Sequence, residues 1–172
     1  KAVPGYEATL LDDKDQPFDG EGEGRLAIRG PTGCRYLADE RQKTYVVNGW
    51  NVTGDLYRRD ADGYFWYLSR ADDMIISSGY NIAAPEVENA LLTHDAIAEA
   101  AVIGAPDEER GQIVKAFVVL KPGAEISEKA LQEHVKAKIA PYKYPRAVEF
   151  VDSLPKTHTG KLQRFKLRQD AS

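Results

Sequence analysis

Residues 64–88 read YFWYLSRADDMIISSGYNIAAPEVE and change character twice. The run Tyr64–Leu68 follows Asp62-Gly63, a strong hairpin signal, and reads as an aromatic strand. At Ser69–Asp73 it gives way to a charged stretch, which predicts a boundary between two domains, residues 1–69 and 70–172. Further on, Pro85 with Glu86 and Glu88 marks a helix start, because proline suits the first turn and carboxylates suit its positive end. Val87, Ala90 and Leu91 would share one face of that helix.

Upstream of this stretch the chain reads as strands. Tyr6–Leu11 and Arg25–Arg29 mostly alternate, and the turn-rich DDKDQPFDGEGEG separates them. Asn48-Gly49 is another hairpin signal. Strand–turn–strand spacing this regular predicts a small, barrel-like, β-rich subdomain. Downstream, Ile97–Gly104 and Ile113–Leu120 read as buried strands, with Lys121-Pro122-Gly123 as a turn. Ser127 would cap a second helix whose Leu131, Val135 and Ile139 recur every fourth position, and Pro141 would end it. Ala147–Val151 reads as a last strand. The order α-β-β-α-β predicts a compact domain with helices packed on a small sheet, so the fold class is α+β.

Composition narrows the classes. The 172 residues include 42% hydrophobic and 29% charged side chains, ordinary for a globular protein and unlike a disordered tail or a collagen repeat. A single cysteine, Cys34, excludes an internal disulfide and fits a reducing compartment, the cytoplasm. No apolar run approaches the roughly 20 residues that span a bilayer. Net charge is −4, yet residues 141–172 hold seven basic and three acidic groups. A basic end on an acidic body is either a solvated tail or an attractor for something anionic.

The motifs have bland readings beside the chemical ones. Gly20, Gly22 and Gly24 read as an inter-strand turn, because a sixth-position glycine and a following helix are missing. Thr157-His158-Thr159-Gly160-Lys161 looks like the end of a phosphate loop, but it lacks the opening glycine, and Leu162 stands where Ser or Thr should bind magnesium. A Gly-Lys pair can still carry an amine to a ligand; the alternative is a mobile surface loop. Asp55 is a turn carboxylate or an acceptor for sugar hydroxyls, and Arg70 is a surface ion-pair partner or a donor to sugar and phosphate oxygens. The three histidines are far apart, and neither zinc spacing nor HExxH occurs, so no metal ligands are expected.

Taken together in order, these residues carry a resemblance. Gly24-Arg25-Leu26-Ala27-Ile28-Arg29-Gly30-Pro31 resembles a core motif of the adenylate-forming (AMP-binding) superfamily of acyl-CoA synthetases, peptide-synthetase adenylation domains and luciferases. Thr53-Gly54-Asp55 through Ser69-Arg70-Ala71-Asp72-Asp73 resembles the next. Met74 to Ile82 followed by Pro85-Glu86-Val87-Glu88 resembles a third, and Leu154-Pro155-Lys156-Thr157 with Thr159-Gly160-Lys161 the last. The likeness runs along essentially the whole chain. Tyr142-Lys143-Tyr144-Pro145-Arg146 and the ending Gly160 to Arg168 are most similar to benzoate- and 2-aminobenzoate-CoA ligases.

The resemblance implies the C-terminal part of an ATP-dependent aromatic acid–CoA ligase, inactive alone because the phosphate loop and the acid pocket belong to a large domain upstream. ATP and coenzyme A are then the cosubstrates, with Mg2+ accompanying ATP and no ligands for it in this chain. It implies Lys161 as the catalytic residue, Asp55 and Arg70 at the ribose, and Asp72 as the hinge of a mobile lid. Ser78 and Gly79 would meet the pantetheine arm, and Lys143 and Arg146 the phosphates of coenzyme A. Two departures are small: Ser78 and Ser69 occupy places where glycine is usual. No membrane and no nucleic acid partner is expected. The alternatives are the lid of an adenylation domain that loads a carrier protein, and a non-catalytic module whose basic end binds phosphate or nucleic acid.

Overall fold

Turn chemistry and alternation build the first half of the chain. In the computed structural model, which describes residues 1–32, 40, 43 and 45–170, Cys34 lies outside the described residues. Strands β1 (Glu7–Leu11), β2 (Pro17–Phe18), β3 (Gly22–Arg29), β4 (Val46–Val47), β5 (Trp50–Arg59) and β6 (Phe65–Arg70) form one antiparallel sheet. Their order is β2-β1-β3-β5-β4, with β6 also paired to β5. Asn48 and Gly49, at φ 50° and 79°, supply the left-handed pair that a tight two-residue hairpin needs between Val47 and Trp50. The β5–β6 turn is held by Asp60, whose carboxylate accepts from the Tyr64 amide at 2.8 Å and the Trp66 indole at 2.7 Å. The Trp66 bond above all holds the Asp60 carboxyl below its ordinary range. Leu11, Ala27 and Val52 are buried on one side, with Val47 and Trp50 packed against them.

The chain divides into two compact units, Lys1–Asp72 and Asp73–Ser172. The second begins with a hairpin absent from the expected α-β-β-α-β order: β7 (Met74–Ser77) and β8 (Tyr80–Ala83). Helix α1 (Ala84–Leu92), β9 (Ile97–Asp107), β10 (Gly111–Leu120), α2 (Glu128–Lys138) and β11 (Ala147–Phe150) follow as the patterns predict, and a further helix, α3 (Arg164–Asp170), closes the unit. The sheet order is β11-β10-β7-β8, with β9 also on β10; β11 runs parallel to β10, the other pairs antiparallel.

The period of two along β9 and β10 separates two cores. Val102, Val114, Ala116 and Val118 face the layer that contains Val87 and Leu91 of α1 and Leu131 and Val135 of α2. Ala101, Ile103 and Phe117 face the other side, where Leu154 and Leu167 of α3 cover them. Both helix starts have local causes. Pro85 lies in the first turn of α1, and the Ser127 hydroxyl accepts from the Ala130 amide at 3.2 Å to cap α2.

The C-terminus of α1 meets α2 through a histidine pair. Thr93 Oγ1 donates to the Ala90 carbonyl at 2.7 Å, so its oxygen accepts from His134 Nε2 at 2.8 Å. This fixes the neutral tautomer with the proton on Nε2. The His94 ring stands edge-on to His134, with centroids 4.9 Å apart. Burial first, then the charge of His94, pushes the His134 imidazole below its ordinary value of 6.5. The unfolded chain therefore binds this proton first as pH falls. The contribution of His134 is complete above pH 6.5 and is lost below it. The protection factors of the buried Leu131 and Val135 amides, which divide out the intrinsic slowing of exchange in acid, should fall on acidification through this window, and His134→Gln should flatten that slope. A steeper slope in the variant would reverse the assignment.

Candidate functional site

In the first unit the site starts from an irregularity in a strand. The β3–β5 ladder pairs Arg25 with Leu56 and Ala27 with Val52, so Leu26 alone faces Thr53, Gly54 and Asp55. Such a bulge re-aims the side chains that follow it. Thr53 ties it down, donating to the Leu26 carbonyl at 3.1 Å and accepting from the Asp55 amide at 3.2 Å. Gly54 holds φ 78°, a conformation that costs an L residue about 1–2 kcal/mol.

The bulge sets Asp55 opposite Arg70 on β6, with Arg70 Nε 3.3 Å from Asp55 Oδ1 and 3.5 Å from Asp72 Oδ1. The Arg70 side chain is half exposed, and Asp55 is more than a quarter exposed. An ion pair this wet adds at most about 1 kcal/mol to stability. Carboxylate and guanidinium together offer acceptors and donors to a polyol or a phosphate ester. Ser69, fully buried, donates to the Arg70 carbonyl at 2.9 Å.

The second unit carries the other candidates on three separate turns. Lys161 ends a tight loop closed by Thr157: the Thr157 amide donates to the Lys161 carbonyl at 2.8 Å, and Thr157 Oγ1 accepts from the Lys161 amide at 3.0 Å. Gly160, at φ 82°, makes the turn possible. The side chain is exposed, and its ammonium has no ion pair among the described residues. Ser78 and Gly79 form the two-residue turn of the β7–β8 hairpin, at φ 49° and 80°. Arg110 steadies Ser78, donating to its hydroxyl at 2.9 Å. A Cβ on Gly79 would meet nothing within 4 Å, which leaves that face of the turn open.

Lys143 and Arg146 are not bare cations. Lys143 Nζ donates to both oxygens of Glu86 at 2.7 and 2.6 Å. Arg146 lies over the Tyr144 ring at 4.8 Å and donates to its hydroxyl at 2.8 Å. Next to them Tyr80 and Tyr142, both exposed, stack with centroids 4.5 Å apart. Among the described residues, no cluster of three or more His, Cys, Asp or Glu side chains could hold a metal ion.

Sequence reasoning missed the strongest charge cluster. Glu88, which reads as a helix-start carboxylate, is buried and bonded to Arg164, and Arg164 and Arg168 both reach Asp73. The signal was present: Glu88 stands on the same helical stripe as Ala84, Val87 and Leu91, where an unpartnered charge is untenable. The basic end is thus largely paired to the acidic body of its own unit, neither a solvated tail nor a uniform anion attractor.

Residues 86–161 match the AMP-binding enzyme C-terminal domain. The chain is 45% identical over 180 residues to the human mitochondrial acyl-coenzyme A synthetase ACSM5, covering 98% of this chain and 31% of that protein. It is 45% identical over 174 residues to the benzoate–CoA ligase of Thauera aromatica, covering 98% and 33%. Its fold superposes on the anthranilate CoA ligase AuaEII in complex with anthranoyl-AMP with a TM-score of 0.87 and 42% identity, covering 100% of this chain and 34% of that one. The chain thus spans about a third of the length of the curated relatives it matches.

The bulge gives a direct test in the first unit. In Gly54→Ala the new Cβ would lie 3.4 Å from Arg70 Nη2, which can yield, so backbone strain sets the cost. Stability of this unit should fall by about 1–2 kcal/mol. Tryptophan fluorescence during denaturant unfolding reads it, because both tryptophans, Trp50 and Trp66, lie in this sheet. An unchanged midpoint would mean that the left-handed turn is not required.

Proposed function

We propose that this chain, whose residues 86–161 match the AMP-binding enzyme C-terminal domain and which is similar along nearly its whole length to acyl-CoA synthetases, forms the last β subdomain and the mobile lid of an ATP-dependent aromatic acid–CoA ligase. In that reaction the substrate carboxylate attacks the α-phosphate of ATP, forming acyl-AMP and expelling pyrophosphate. The thiol of coenzyme A then attacks the acyl carbon, AMP leaves, and the thiol proton passes to solvent. Mg2+ would arrive on the ATP phosphates. The choice of an aromatic acid is supported by the likeness to the benzoate and anthranilate ligases. A single cysteine in 172 residues fits work in the reducing cytoplasm, and among the described residues no helix is long and apolar enough to cross a membrane.

The observation that carries this reading is the state of Lys161: a backbone locked by Thr157 beneath an ammonium with no ion pair among the described residues. Two anions must meet in the first step, and a fixed positive charge between carboxylate and phosphate lowers that barrier most where charge is redistributing. Asp55 would accept from the ribose hydroxyls, with Arg70 donating beside it. Asp72, next to the unit boundary, would be the hinge about which the lid withdraws Lys161 and brings the open face of the Ser78-Gly79 turn to the pantetheine arm. Of the two proposed phosphate ligands of coenzyme A, Arg146 is the stronger, because Glu86 already neutralises Lys143.

In a protein carrying this chain behind its large domain, Lys161→Ala should cut acid-dependent ATP–pyrophosphate exchange by about a hundredfold or more. Thioester formation from pre-made acyl-AMP should stay within severalfold. Equal loss in both half-reactions, or in neither, would overturn the role of Lys161. The 172-residue chain by itself should make no benzoyl-CoA from benzoate, ATP and coenzyme A, and turnover by it would contradict its place as a lid.

A further inference from the structure

We infer that Arg164 is a positioning residue for Lys161, one arm of a two-point mount that fixes where the loop presents its amine. The inference rests on the reading of Lys161 above, but the mount itself is a matter of geometry.

The loop leaves and returns through two posts. On the outgoing side, Lys156 Nζ lies 2.5 Å from Glu99 Oε2 on β9. On the returning side, Arg164 opens α3 and spreads its guanidinium between two nearly buried carboxylates. Its Nη2 donates to both oxygens of Glu88 at 2.8 and 2.7 Å, and its Nη1 to Asp73 Oδ2 at 3.2 Å. Glu88 is itself oriented by the Val102 amide, which donates to Oε1 at 2.8 Å. The posts are joined by a bridge between Lys156 and Leu162 and by the Gln163 amide on the Pro155 carbonyl at 2.9 Å. Everything from Thr157 to Lys161 therefore hangs from α1 and β9 through charged contacts at its two ends.

The choice of side chain fits this task. A planar fork can serve two carboxylates at fixed angles, whereas an ammonium on a flexible stem serves as a point charge. Arg164 is in register with Lys161, with only Leu162 and Gln163 between them. A shift of about 1 Å in a catalytic group costs on the order of a hundredfold in rate, so a mount that fixes the loop matters to the reaction as well as to the stability of the unit. Arg168 also reaches Asp73 but stands one turn further along α3, away from the loop, which makes it the control.

The test compares Arg164→Gln, Arg164→Lys and Arg168→Lys in the 172-residue chain and in the longer protein that carries it. In Arg164→Gln, amide exchange across Thr157–Leu162 should quicken about tenfold or more beyond any change at Val114–Val118. Arg164→Lys should recover only part of the protection, and Arg168→Lys should leave the loop as it is. In the longer protein, Arg164→Gln should lower kcat for adenylation about tenfold with KM little changed, and leave thioester formation from acyl-AMP alone. If Arg164→Gln does not fold, Glu88→Gln breaks the same fork while keeping the acceptor for the Val102 amide, and should give the same pattern. Loop protection that is unchanged, or that falls only in step with the core, overturns the mount. A quickened loop with equal losses in both half-reactions overturns its link to adenylation. Failure of Lys161→Ala to impair adenylation would instead remove the proposed function, while the exchange data would still decide the mount.

Discussion

Glu88 occupies the apolar face of α1, one residue from Val87 and one turn before Leu91, and is only 9% exposed. A carboxylate in such a place loses several kcal/mol of hydration, which is recovered only if its oxygens are fully bonded. Here a backbone amide of β9 and the fork of Arg164 do so, and Arg164 draws in Asp73, which draws in Arg168. Removing Arg164 would strand the Glu88 carboxylate, at a cost of about 3–5 kcal/mol. Replacing the whole set with apolar side chains of equal volume would be close to neutral, so stability alone does not explain it. Direction does: ionic forks fix angles that an apolar contact leaves loose. The helix they orient, α3, then lays Leu167 over the outer face of β9 and β10, beside Ala101, Ile103 and Phe117.

The same sheet shows why the second unit needs that clamp. With α1 and α2 on one face of β9 and β10, the opposite residues of the alternation still need cover, and α3 has only seven residues with which to supply it. So short a helix is marginal by itself. Its Phe165 is half exposed, and Leu167 is its one buried apolar anchor among the residues described. Ion pairs from both ends of the helix to Glu88 and Asp73 make up what a wider apolar face would otherwise provide.

Most of this architecture was legible from spacing and turn residues. Pro85, Ser127, the fourfold recurrence of Leu131 and Val135, and the two Asx-Gly hairpins each act locally, and local causes survive into the folded chain. The β7–β8 hairpin was not legible as one, because Ser78-Gly79 lacks the Asn or Asp that normally announces a left-handed pair; Ser78 holds φ 49° with help from Arg110, which is distant in sequence. Helix α3 was hidden for a similar reason. RFKLRQD has no cap and no broad apolar stripe, and its order comes from carboxylates at Asp73 and Glu88. Among the candidate residues, Asp55 and Arg70 could be paired on sequence only by likeness, since nothing in the strand pattern foretells a bulge that sets one opposite the other. The pairing of Lys143 with Glu86 was not legible, because Glu86 stands at the start of a helix far upstream.

Pairing also separates Lys161 from its neighbours. Lys143, Lys156, Arg164 and Arg168 each hold a carboxylate, and Arg146 lies on Tyr144. Lys161 and Lys166 have no ion pair among the described residues. Lys166 stands on a helix face, where an exposed ammonium is commonplace. Lys161 differs in what lies beneath it: a threonine that closes the loop from both sides, a glycine at φ 82°, and charged posts at each end. Holding a backbone still costs conformational entropy of about 1–2 kcal/mol per residue, and an amine left in water returns none of it. A fixed amine is worth that cost where its position, rather than its contacts, is what a reaction uses.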